Sequence, residues 1–135
     1  MDHVQFEIFE DLEFDGDAGT LVVKSATSDR ALLRCSVTSI FRHGAEVTEV
    51  AEREIPHLAH KADTDYNRSG DKYTFRTDKA GSIDSNDSTH YWYIGLGGHV
   101  AVVSVFVDHR DGDDPQIQRV MDCAELLMQT FRRAL

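Results

Sequence analysis

The sequence predicts one α+β domain, a mostly antiparallel sheet of about six strands with two helices packed on it, in the order β-β-β-α-β-β-β-α. Three observations lead there. Short alternations of apolar and polar residues, each bounded by turn formers, recur along the chain. Two stretches, 47–62 and 115–135, carry apolar residues at helical spacing. A length of 135 residues leaves room for one ordinary core, so 1–135 reads as a single domain. A chain of this size buries about two-thirds of its unfolded surface and needs no metal or disulfide staple.

The elements follow in order. Val4, Phe6 and Ile8 alternate with Gln5 and Glu7, the period of a half-buried strand. Asp15-Gly16-Asp17-Ala18-Gly19 is dense in turn formers, and Leu21-Val22-Val23 centres the next strand. After a turn at Ser28-Asp29, a longer strand spans 30–41, with Ala31, Leu33, Cys35, Val37 and Phe41 on one face. Val47, Val50, Ala51, Leu58 and Ala62 then mark a helical stripe. Pro56 lacks a donor and clashes with the preceding turn, which predicts a kink or break near Ile55. The polar stretch 63–71 reads as loop, and Tyr73 and Phe75 as a fourth strand. The segment 78–89, rich in Gly, Ser, Asp and Asn, reads as a long loop. Tyr91 to Leu96, a turn at Gly97-Gly98 and the run 100–107 form a hairpin. The second run is apolar almost throughout, which predicts a central strand covered on both faces. Asp114-Pro115 has the form of a cap and first turn. From there Ile117, Val120, Met121, Ala124, Leu127, Met128, Phe131 and Leu135 predict a helix to the end.

Charge narrows the partners. Fourteen basic against 24 acidic residues give a net charge of -10. Such a surface disfavours nucleic acid and anionic membrane, since phosphate binding needs clustered Lys and Arg. It favours a basic protein partner. Asp2, Glu7, Glu10, Asp11, Glu13, Asp15 and Asp17 precede the first Lys or Arg of the chain. This acidic stretch reads either as a solvated strand edge and turn or as a docking face. Cys35 and Cys123 lie far apart on apolar faces, the pattern of reduced core thiols, although spacing alone leaves a bridge open. The start MDHVQFEIFEDLEF has acids where a secretory signal has basic residues, and no run approaches eighteen apolar residues. The cytoplasm is the expected compartment.

The chemistry-bearing patterns are mostly excluded. His57 and His60 stand at i and i+3, but Pro56 disturbs the turn and the His-Glu-x-x-His pattern is absent. Asp63, Asp65 and Asn67 begin like a calcium loop, yet Arg68 and Thr74 stand where Gly and Glu are required; the run from Asp84 fails likewise. Gly95-x-Gly97-Gly98 joins two strands and does not open a helix, so it is no phosphate loop. There is no Gly-x-Ser-x-Gly elbow. Cys35 and Cys123 sit among apolar neighbours and lack the setting of an activated thiolate. No cofactor or metal is expected. His109, Asp111, Asp113 and Asp114 cluster before the last helix and read first as a turn and cap.

The run Tyr91-Trp92-Tyr93 stands out. Both tyrosines face one way and Trp92 the other, so one side must be core and the other offers aromatic anchors of the kind enriched at interfaces. The candidate binding residues are Glu10, Asp11, Glu13, Asp15, Tyr91, Trp92 and Tyr93; none is assigned a catalytic role.

The element order, with a strand hairpin carrying Trp92 and a closing amphipathic helix, resembles the PsbP-like α/β/α sandwich. That group includes a photosystem extrinsic subunit, a nuclear regulator that binds a small GTPase, and many small bacterial proteins. Leu12 and Phe14 stand where the group would place a tryptophan. The resemblance implies a sandwich fold and a protein-binding role, and transfers no functional residue.

The expected function is a non-catalytic cytoplasmic protein-binding module with an acidic face, with an immunity-type inhibitor or adaptor as special cases. A homodimer through an open sheet face is compatible with it. The alternative is a small enzyme or ligand-binding protein with a site between the sheet and the 78–89 loop, using His90, His109 and Asp111.

Overall fold

The computed structural model describes residues 4–17, 19–39, 41–42, 45–46, 50–81, 87–109 and 114–134. The chain enters through a short strand β1 (Val4–Gln5), then β2 (Leu12–Asp17), β3 (Thr20–Ser25) and β4 (Ala31–Ser39) follow as an antiparallel meander. A small pair, β5 (Phe41–Arg42) and β6 (Ala45–Glu46), precedes helix α1 (Val50–Lys61). The second meander is β7 (Asn67–Ser69), β8 (Lys72–Ala80), β9 (Asp87–Leu96) and β10 (His99–Asp108), followed by α2 (Pro115–Thr130) and β11 (Arg132–Arg133). The main sheet has seven strands in the order β2-β3-β4-β10-β9-β8-β7, every described pair antiparallel. It is an α+β sandwich in which β4 and β10 join the two meanders at the centre.

Alternation divides the sheet into two faces. One carries Val23, Leu33, Cys35, Val103, Val105 and Trp92, all buried beneath Val120, Cys123, Ala124 and Leu127 of α2. Asp114 caps α2, its carboxylate accepting from the Gln116 amide at 2.9 Å and from the Ser28 hydroxyl. At the far end, the Lys72 ammonium donates to the carbonyls of Met128 (2.6 Å) and Gln129 (3.2 Å), placing a cation where the helix dipole is negative. The other face is covered by α1 only over β8, β9 and the Val100 end of β10, with Ala51, Ile55 and Ala59 against Tyr73 and Phe75. Gly95 permits that approach. A Cβ there would lie 2.5 Å from Cγ1 of Ile55 and 2.9 Å from Cβ of Ala51. The β9–β10 hairpin turns at Gly97, whose φ of 59° is the sign that a primed turn requires at its first central residue.

Several expectations are corrected. The Val4–Ile8 alternation does not join the main sheet: only Val4 and Gln5 pair, with β11, while Phe6 stacks on Phe131 at 6.1 Å and Ile8 packs against the core. The turn-rich stretch from Asp15 belongs to β2, an edge strand that needs hydrogen bonds on one side only. Helix α1 runs unbroken through Pro56, because Ile55 and Ala59 are both buried against the sheet and packing outweighs the local penalty. Ala62 is exposed, and Val47 lies outside the described residues. The 63–71 stretch contains β7, and 78–80 and 87–89 are strand, not loop. Helix α2 stops at Thr130, where Phe131 turns extended into the core and Arg132 begins β11. β10 is central but covered fully on one face only: its residues alternate between buried and half-buried, with Phe106 exposed. Cys35 and Cys123 are both free and buried. No helix is long and apolar enough to cross a membrane.

Candidate functional sites

Strand register fixes which predicted residues meet. Asp15 pairs with Val22, Val22 with Arg34, Arg34 with Ser104, and Ser104 with Tyr91, so Asp15 and Tyr91 stand in one row on the face bearing α1. Glu13 shares that face directly across from Lys24. The two acids are four strand spacings from Tyr91, roughly 19 Å. Tyr93 stacks on Phe75 at 4.4 Å and belongs to the cluster under α1, where burial and then Tyr91 push its phenol up. Tyr91 is half-buried.

Three of the seven lie elsewhere. Trp92 is fully buried on the opposite face, its indole Nε1 donating to Glu125 at 3.0 Å and Arg76 stacked 4.8 Å over the ring, so it presents nothing to a partner. Asp11 takes both Nε (3.0 Å) and Nη2 of Arg119, which itself covers the Phe9 ring at 3.6 Å. That pair ties the N-terminal segment to α2, and the Arg119 hydrogen bond holds the Asp11 carboxyl below its ordinary range. Glu10 is exposed in the turn before β2.

Beyond α1 this face carries a strip that periodicity did not reveal. Val22, Leu32, Val102 and Tyr91 are half-buried, and Phe106, opposite Leu32, is 47% exposed. The signal was present in Phe106, a large apolar residue out of phase with Val103, Val105 and Val107, but the near-continuous apolar run of β10 concealed it.

A polar cluster occupies the α2 side at the other end of β9. Asp78 pairs with His90 across β8 and β9, and its Oδ1 lies 2.6 Å from His90 Nδ1. His90 Nε2 is 3.0 Å from Ser88 Oγ, and His109 Nε2 reaches the same oxygen at 3.2 Å. A carboxylate only accepts, so His90 Nδ1 donates to Asp78 and, in the neutral ring, Nε2 accepts the Ser88 proton. The single hydroxyl proton being used, His109 Nε2 is the donor to Ser88. The His90 hydrogen bond, followed by the charge of Arg76, holds the Asp78 carboxyl below its ordinary range. Of the residues named from sequence for a small-molecule site, His90 and His109 meet here, and Asp111 lies outside the described residues. Ser88 and Asp78 stand in the 78–89 stretch that composition marks as loop, so their strand pairing is hidden in the sequence.

His57 and His60 are exposed on α1, and His60 shares a polar hollow with Asp63, Thr64 and Asp65. Among the described residues no three His, Cys, Asp or Glu side chains are grouped as a metal ion would require. Burial drives the Cys35 thiol from its ordinary 9.0 to about 12 and raises Cys123, so neither is an activated thiolate.

No protein-family model matches the sequence, and no curated protein sequence matches it. Solved structures do share the fold. A Bacteroides thetaiotaomicron protein aligns over 98% of this chain with a TM-score of 0.70 and 13% identity, and this chain spans 45% of its length. LpqN of Mycobacterium tuberculosis, involved in cell envelope biogenesis, aligns over all of this chain and 85% of its own, with a TM-score of 0.51 and 10% identity. Cyanobacterial PsbP of Synechocystis aligns over 98% of this chain and 92% of its own, but its TM-score of 0.30 at 11% identity carries no argument. Identities this low bear on the fold alone.

Proposed function

We propose that this chain is a protein-binding module whose docking surface is the strip beyond α1, and that its partner presents apolar side chains together with basic groups. One observation carries the reading: Phe106 stands exposed opposite half-buried Leu32, with half-buried Tyr91 and Val102 further along a sheet face whose outer edge bears Glu13 and Asp15. Aromatic anchors within a polar rim are the anatomy of a protein interface. The net charge of -10 favours a basic partner at long range. Near the strip that preference is moderated, because Lys24 faces Glu13 and Arg34 lies in the Asp15 row. A partner resembling a toxin held by an immunity-type inhibitor suits this chemistry; a second copy of the chain, meeting strip to strip, is the competing occupant. The two free buried thiols support a reducing compartment such as the cytoplasm. The element order, with Trp92 on the second hairpin and a closing helix, supports a place in the PsbP-like group.

The test combines sedimentation with capture on immobilised protein at low and moderate salt. The expected result is a monomer that retains a basic protein, with retention lost in Phe106→Ser and weakened by salt and by Glu13→Gln with Asp15→Asn. A concentration-dependent dimer abolished by Phe106→Ser would replace the partner with a second copy. Retention indifferent to Phe106→Ser would remove the strip from any docking role.

A further inference from the structure

We propose that Ser88 is a nucleophile, activated by His90 and positioned through Asp78, that takes the acyl group of a small activated ester. The inference goes beyond the docking reading and concerns the opposite face of the sheet, so neither stands on the other. Its basis is a continuous chain of hydrogen bonds: Asp78 Oδ1 to His90 Nδ1 at 2.6 Å, and His90 Nε2 to Ser88 Oγ at 3.0 Å. A serine hydroxyl alone is a weak nucleophile and needs an adjacent base held in the right tautomer by a third group. The three side chains meet that requirement.

The backbone explains the alignment. Ser88 and His90 are two apart on β9 and share a face, while Asp78 is the cross-strand partner of His90 on β8. Arg76, on the same face of β8, lies 3.4 Å from Asp78 and adds its charge to the His90 hydrogen bond in holding that carboxyl below its ordinary range. The His90 side chain is 17% exposed and Ser88 is half-buried, so neither is sealed from solvent. His109 Nε2 also lies within hydrogen-bond distance of the Ser88 hydroxyl, at 3.2 Å.

The step balances. As Ser88 Oγ bonds to the ester carbonyl carbon, its proton passes to His90 Nε2. The bond to the leaving oxygen breaks and that oxygen takes the proton. Water then attacks the acyl-serine, gives a proton to His90, and releases the acid as Ser88 regains its hydrogen. The net change is ester and water to acid and alcohol.

A small fluorophosphonate tests the nucleophile directly, forming an Oγ–P bond as P–F breaks and fluoride leaves. Intact mass should show one adduct, mapped by peptide sequencing to Ser88 and absent from Ser88→Ala. His90→Asn should slow labelling by about 100-fold or more, the scale of lost base catalysis. Asp78→Asn should slow it with the melting temperature unchanged, and Asp78→Glu should recover part of the rate. Ser36→Ala, exposed on the other face, is the control that labels as the parent does. Labelling that His90→Asn leaves unaltered, or no adduct on the folded parent, overturns the proposal. Should Ser88→Ala fail to fold, the adduct map and the His90 rate decide it.

Discussion

The two faces of the sheet are made by the same strands, yet one is sealed and the other is half open. Beneath α2, the central residues of β3, β4, β9 and β10 on that face are fully buried, among them Val23, Leu33, Val103 and Trp92. Across the sheet, α1 reaches Tyr73, Phe75 and Gly95 and leaves Val22, Leu32, Val102 and Phe106 beyond it. One face therefore carries the larger buried cluster, and the other keeps half-buried and exposed apolar side chains among the described residues. Adjacent residues of β9 show the contrast most directly: Trp92 is fully buried and Tyr91 is not.

The sharpest way to break the sealed face is Trp92→Ala. It opens a large cavity and removes the indole donor to Glu125 and the ring beneath Arg76, and should lower unfolding free energy by about 4 kcal/mol in a denaturant titration. A loss near that for Tyr91→Ala would erase the comparison.

Alkali probes the same face more gently. Cys35 carries its proton up to about 12 when folded, against 9.0 ordinarily. The folded state thus binds more protons than the unfolded one between those values. The stability contributed is whole below pH 9, and is lost at about 1.4 kcal/mol per pH unit as pH rises toward 12. Cys35→Ala should be less stable at neutral pH but show a shallower alkaline decline. Parallel declines in the two proteins would mean that the thiol is not sealed.

On the open face, Phe106→Ser should change unfolding free energy by no more than about 0.5 kcal/mol, as for an ordinary surface site. A loss of several times that would show Phe106 to be core, and would withdraw it from any interface.

The sealed face was the legible one. The helical stripe of α2 from Ile117 to Met128, its Asp114-Pro115 start and the Gly97-Gly98 hairpin rest on local rules and are present in the structure; only the helix end, at Thr130, differs from the expectation. The misreadings fall where tertiary pairing decides. β2 contains Asp15, Gly16 and Asp17, turn formers that an edge strand tolerates and whose strand character comes only from β3. The ends of β8 and β9 are polar and extend past the core, so nothing in hydrophobic pattern marks them. The same cause hid the polar cluster. His90 and His109 could be picked out as residue types, but Asp78 joins His90 through a register, twelve positions away along the chain, that nothing local announces. Likewise Trp92 could be placed opposite the tyrosines by alternation, while which side was core depended on where α2 packed.

The seam between β4 and β10 has a consequence for how the chain reaches this fold. Each meander is assembled from neighbours in sequence, whereas Ser39 and His99 at the seam, hydrogen bonded side chain to side chain, are 60 residues apart. Closing so long a loop carries an entropic penalty before any seam contact compensates it. The two halves can therefore organise locally and quickly, and their joining along one pair of strands is the step that sets the pace of folding. Until that joining, Val103, Val105 and Leu33 are apolar strand edges in water, and the interval before the seam closes is when this chain is most exposed to pairing with another.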